Sequence, residues 1–80
     1  MRRMDFLAAF YTHYGAMRFY KHCAREGLPA RMAPVPREIS ASCGVCVLFS
    51  AGRAARPEEH EDMERCYVLT ENNAYAPAEG

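Results

Sequence analysis

Four cysteines, Cys23, Cys43, Cys46 and Cys66, carry the most distinctive chemistry of this 80-residue chain, and one of them sits in unusual company. Cys43 lies within Pro34-Val35-Pro36-Arg37-Glu38-Ile39-Ser40-Ala41-Ser42-Cys43-Gly44-Val45-Cys46. Pro34 and Pro36 fix their own φ angles and push the preceding residues toward extended geometry, so this loop is expected to hold one path. Gly44 lets the backbone turn sharply and exposes its amide to whatever the sulfur carries. A thiol with a pKa of about 8.5 is only about 3% thiolate at pH 7, so reactivity requires nearby positive charge or amide donors. Arg37 is the nearest cation. Lowering the pKa to about 6.5 would raise the thiolate fraction to roughly three quarters, a change worth about 2.7 kcal/mol. The hydroxyls of Ser40 and Ser42 and the amides around Gly44 are candidates to line the anion or a persulfide attached to it. The competing reading makes Cys43 a small buried residue at the start of a strand.

Cys43-Gly44-Val45-Cys46 also has the spacing of redox dithiols and of half a zinc site. If all four residues were extended, the outer Cα atoms would lie about 10 Å apart, beyond the roughly 7 Å limit for a disulfide, so only a turn at Gly44 would let the sulfurs meet. Zinc would need a second pair of ligands, whereas Cys23, Cys66 and His22 stand singly on predicted helices, and no metal or cofactor is expected. Cys23 and Cys66 fall on the apolar sides of those helices, where cysteine packs as a small hydrophobe. His13 reads as a solvated histidine at a helix start, and Glu58 to Asp62 as a solvated first turn. No glycine-rich phosphate loop and no Ser-His-Asp arrangement stands out.

The elements that must position this loop follow from the hydrophobic pattern. Met4 to Tyr11 reads as a buried strand. Thr12 can cap a helix from Thr12 to Glu26, with Ala16, Tyr20, Cys23 and Ala24 at helical spacing and Gly27-Leu28-Pro29 as its stop. Ala30 to Ala33 is a second strand feeding the proline loop. Val45 to Ser50 is a third, with Val45, Val47 and Phe49 on one face and Cys46 and Leu48 on the other. Pro57 suits the first turn of a second helix whose early acids complement its dipole and whose Met63, Cys66, Tyr67 and Thr70 share a face. Asn72-Asn73 mark its exit, and Ala74 to Ala76 form a short edge strand. The order predicts an α+β domain of ferredoxin-like βαββαβ type, with two helices on one face of a small antiparallel sheet and the other face open. The whole chain reads as one domain, residues 1–80, with residues 76–80 frayed.

Half of the residues are apolar and a quarter are charged, which excludes a disordered chain. Ten basic residues balance ten acidic ones, without the positive excess of a nucleic-acid binder, so no nucleic acid is expected as partner. The apolar run behind Arg2-Arg3 is broken by Asp5 and lacks a cleavage site, and no stretch is long and apolar enough to span a membrane. The expected setting is a reducing cytoplasm, where cysteines serve as thiols. A domain this small buries only about 60 to 65% of its unfolded surface, which leaves a homodimer open.

The residues Phe10-Tyr11-Thr12-His13, the helix around Ala16 to Glu26, Gly27-Leu28-Pro29-Ala30-Arg31 and above all Pro34 to Gly44 resemble a family of small bacterial and archaeal domains of unknown function, the Putative Se/S carrier protein-like family. The resemblance runs from about Asp5 to Ser50. It implies a protein that accepts sulfur or selenium as a persulfide or selenosulfide and passes it on, a stoichiometric carrier more than an independent enzyme, with donor and acceptor proteins as partners. By position, Cys43 would be the carrier residue, Arg37 and Gly44 its support, and Ser40 and Ser42 its polar lining. Cys46 departs from the pattern, which has an aliphatic residue there, and raises release of the cargo through a Cys43–Cys46 disulfide. The short C-terminal end departs as well. Two other readings stay open: a non-catalytic interaction module with packed cysteines, and a Cys43/Cys46 dithiol redox protein.

Overall fold

A computed structural model describes residues 3–39, 41–52, 62–70, 72 and 74–77. The element order is β1 (Arg3–Phe10), α1 (His13–Arg25), β2 (Ala30–Pro34), β3 (Val45–Gly52), β4 (Met63–Leu69) and β5 (Tyr75–Pro77). The strands form one five-stranded sheet in the order β2-β3-β1-β4-β5, and every neighbouring pair is antiparallel. No described helix is long and apolar enough to cross a membrane.

The first three strands and α1 fall where their sequence signals place them. Thr12 is the N-cap of α1, its hydroxyl accepting from the Gly15 N–H at 3.0 Å, which satisfies one of the amide donors that a helix start leaves without an intrahelical partner. At the other end Gly27 takes φ +73°, a region costly for residues with a Cβ. The Leu28 N–H then reaches the Cys23 carbonyl at 2.9 Å and the Gly27 N–H the Ala24 carbonyl at 3.2 Å, which closes the helix.

Alternation in the strands sorts the side chains onto two faces. One face carries Phe6, Ala8, Phe10, Val47, Phe49 and Ala51 and is covered by Ala16, Phe19 and Cys23 of α1. Phe19 is the hub: its ring lies 5.4 Å from Phe10 and meets Phe49 edge-on at 5.1 Å, and Phe49 stacks on Phe6 at 5.2 Å. Among the described residues no polar or charged side chain is buried, so the core is stabilised by apolar area and ring packing.

The ferredoxin-like expectation of two helices on one face is overturned. Residues 63–69 are strand β4, paired with β1 on one side and β5 on the other, and α1 is the only helix among the described residues. The physical reason lies in a β-bulge. Ala9 pairs with Arg65 but Phe10 pairs with Met63, so Glu64 is an extra residue on β4. The bulge brings Met63 onto the same face as Cys66 and Val68, packed against the α1-side core, while Tyr67 joins the other face. A spacing of three between Met63 and Cys66 therefore imitates helical periodicity in a strand. The proposed helix start from Pro57 to Glu61 lies outside the described residues; Asp62 is in a turn. The last strand is shifted by one residue from Ala74–Ala76, and Ala76 and Pro77 remain paired to Val68 and Tyr67.

Asp62 explains a glycine inside α1. A Cβ built on Gly15 would lie 2.5 Å from the Asp62 Cβ, so the helix start and the turn before β4 approach too closely for any side chain at 15. Replacing an interior helical glycine by alanine ordinarily adds about 1 kcal/mol of helix preference. Here Gly15→Ala is expected to lower stability by about 1–3 kcal/mol, the usual range for overpacking, in a urea melt. Asp62→Gly should restore most of the loss, because the clashing atom is then gone.

Candidate functional site

β2 and β3 form a hairpin whose ladder ends at Pro34↔Val45, and the connection from Val35 to Gly44 carries Cys43. Four fixtures hold this loop. The Val35 N–H donates to the Gly44 carbonyl at 3.0 Å, closing its base, and the Ile39 N–H donates to the Pro36 carbonyl at 3.1 Å, forming a turn through Arg37 and Glu38. The turn folds Ile39 down onto the sheet face opposite α1, where it is buried with Leu7, Ala9 and Cys46. Ser42 makes the fourth: its N–H donates to Glu64 Oε1 at 2.9 Å and its hydroxyl to Glu64 Oε2 at 3.2 Å. The second sheet face, expected to be open, is thus partly roofed by the loop. Beyond the roof remains a groove of about 460 Å³ lined in part by Asp5, Arg31, Leu48, Ser50, Leu69 and Tyr75, with the Ser50 hydroxyl donating to Asp5 Oδ1 at 2.5 Å.

The four cysteines are free thiols in different settings. Cys23 is fully buried on the sheet-facing side of α1, and burial pushes its pKa up to about 11. Cys66, on the same side of the sheet, is pushed up to about 11 by burial, partly opposed by a backbone hydrogen bond at Tyr67. Cys46 is fully buried under Ile39. Its pKa is raised by burial, against a smaller lowering by the Arg31 guanidinium, and its Sγ donates weakly to the Pro34 carbonyl at 3.8 Å. Cys43 is half-buried and is the one cysteine outside a helix or strand.

Arg37 and Gly44 are exposed, and among the described residues no hydrogen bond or ion pair joins Arg37 to Cys43. A Cβ on Gly44 would meet nothing within 4 Å, so the space around it is open. Ser42 has turned both donors to Glu64 rather than toward the sulfur. Ser40 lies outside the described residues. Glu64 was missed because a helical reading of 63–70 gave no reason to bring it to the loop; the missing signal was the alternation of Arg65, Tyr67 and Leu69 against Cys66 and Val68. No group of three or more His, Cys, Asp or Glu that could hold a metal ion occurs among the described residues.

The sequence model of the family described as Putative Se/S carrier protein-like matches residues 5–66, from β1 through the cysteine loop and into β4. The chain belongs to this family. No curated protein and no solved structure gives a significant match. The family's name speaks of a sulfur or selenium carrier, and hence of donors and acceptors in general; the matched span contains all four cysteines.

Proposed function

We propose that this protein carries sulfur or selenium as a persulfide or selenosulfide on Cys43 and hands it to an acceptor protein. The observation that carries the reading is the setting of Cys43: within the span matched to the carrier family, it is a half-buried thiol on a loop fixed at four points, while Cys23 and Cys46 are packed in the two cores. In loading, the Cys43 thiolate attacks the outer sulfur of a donor persulfide. The new S–S bond forms as the donor's S–S bond breaks, and the donor leaves as a thiolate. In discharge an acceptor thiolate attacks that same outer sulfur and Cys43 departs as its thiolate. Neither step needs an external oxidant or reductant.

Arg37 and the exposed Gly44 present the loop to partners in this reading, in a reducing compartment that keeps the thiols free. The burial and raised pKa of Cys46 favour a packing role over that of resolving thiol. The test is to incubate reduced protein with glutathione persulfide and read the intact mass and the modified residue. Wild type should gain one sulfur atom on Cys43, Cys46→Ser should behave alike, and Cys43→Ser should gain none. Loading that persists in Cys43→Ser would refute the assignment. A Cys43–Cys46 disulfide without retained sulfur would replace it by dithiol chemistry.

A further inference from the structure

We infer that Glu64 is the positioning residue of the carrier loop: a bulge in β4 turns its carboxylate onto Ser42 and thereby keeps Cys43 sheltered at the sheet. Three observations converge on it. Glu64 is the extra residue where the β1–β4 register shifts, and bulges of this kind re-aim one side chain out of the strand's alternation. Both of its oxygens are used, one by the Ser42 N–H at 2.9 Å and one by the Ser42 hydroxyl at 3.2 Å, across 22 residues of sequence. Hydrogen bonds to an ionised acceptor are the stronger kind, and two on one residue fix an orientation that one cannot. The residue held is the immediate neighbour of Cys43.

The topology brings these parts together. β3 begins, β1 ends and β4 begins at one end of the sheet, because Cys46 pairs with Ala9 and Phe10 with Met63. Glu64 therefore stands across β1 from the strand that follows Cys43. The N-terminal half of the loop is held by the Pro36–Ile39 turn and by Ile39 in the core. The half that bears the thiol is held by Gly44 at the hairpin base and by Glu64. Without the carboxylate, Ser42 and Cys43 hang between Ala41, packed at the edge of the second core, and Gly44 at the hairpin base. Glu64 touches neither the cargo nor a partner in this scheme; it acts through Ser42.

The importance of this clamp for carriage rests on the persulfide reading above, and the experiment separates the two. Iodoacetamide alkylation is followed at each cysteine by peptide mass in wild type, Glu64→Ala, Glu64→Gln, Ser42→Ala and the double variant, and discharge of the loaded protein by glutathione is timed in parallel. Glu64→Ala should speed both alkylation and discharge at Cys43 about fivefold, the change in open population that the net loss of one or two exposed hydrogen bonds supports. Glu64→Gln should stay within about twofold of wild type, since its amide oxygen can accept from the Ser42 N–H and its NH2 donate to the Ser42 oxygen. Ser42→Ala alone should have a smaller effect, and in the double variant it should add little to Glu64→Ala, because both act through one contact.

Cys66 is the internal control, two residues along the same strand. If Glu64→Ala accelerates Cys66 in step with Cys43, the residue merely holds β4 together and the inference is overturned. An unchanged Cys43 rate in Glu64→Ala, or full additivity with Ser42→Ala, overturns it as well. Wild-type protein that takes up no sulfur overturns the carrier reading instead, and leaves the alkylation comparison to decide the clamp.

Discussion

Iodoacetamide at neutral pH should modify Cys43 first and reach Cys23 and Cys66 at least about tenfold more slowly. Burial raises the pKa of Cys23 and Cys66 from 9.0 to about 11, which lowers their thiolate fraction at pH 7 about 100-fold. The more basic thiolate is also the better nucleophile, and a Brønsted slope of about 0.45 returns roughly 8-fold of that deficit. Protonation alone thus leaves a factor of about 12. Burial adds to it at Cys23, which is fully buried between α1 and the sheet and needs an opening of the domain before any reagent arrives. Cys46 should be slow for both reasons. Equal rates at Cys43 and any packed cysteine in the native protein would remove the basis for choosing Cys43 as the carrier.

The raised pKa values of the packed thiols also set an alkaline limit on stability. A thiol whose pKa is higher folded than unfolded holds its proton in the native state after the unfolded chain has released it. Above the unshifted thiol value of 9.0 the unfolded state binds fewer protons, so stability falls as pH rises, and the fall ends near 11 where the native thiols also ionise. A tenfold difference in proton affinity between the folded and unfolded thiol is worth about 1.4 kcal/mol. Urea midpoints should therefore decline between about pH 9 and 11, and Cys23→Ala should flatten that decline even though it opens a small cavity.

Phe19→Ala should remove about 3–5 kcal/mol of stability, a large share of the total. Phe19 is 2% exposed, packs against Phe10 and Phe49, and is the one large aliphatic or aromatic side chain that α1 buries, its other buried residues being Gly15, Ala16 and Cys23. Truncating a buried phenylalanine costs about 3–5 kcal/mol. A domain of this size is stable by roughly 4–12 kcal/mol in total. The loss is larger than for Phe6→Ala, where the ring stacks on Phe49 at one edge of the cluster and keeps 7% exposure. Circular dichroism against urea would decide it. A Phe19→Ala protein that melts within about 1 kcal/mol of wild type would mean that α1 is held by something other than this ring.

Much of the scaffold was legible because its signals are local. A threonine before a helical pattern and a glycine after it are sufficient to bound α1, since capping geometry depends on a few neighbouring residues. Alternation in Val45 to Phe49 likewise assigned both faces of β3, because the two-residue period of a strand is a backbone property. The prolines of the loop were also visible, although they are only part of what holds it: the hydrogen bonds at Val35 and Ile39, the burial of Ile39 in the second core and Ser42 on Glu64 are added to them.

β4 was not legible, and the candidate site suffered with it. Its bulge places Met63 and Cys66 on one face at a spacing of three, a pattern that periodicity alone assigns to a helix. The choice is made by pairing: β1 is flanked by β3 and β4, and both edges of its backbone find partners only if residues 63–69 are extended. Ser42 was read as lining for the sulfur and instead gives both donors to a carboxylate 22 residues away. By itself the sequence determined the thiol, its stiff loop, the capped helix and the strands whose order lies in neighbouring residues. The tertiary structure alone decided the second flank of the sheet, the burial that separates Cys46 from Cys43 and the carboxylate that holds the loop. Those three depend on contacts between distant segments, and hydrogen-bond pairing and burial are free energies of the folded whole that a local pattern encodes only in part.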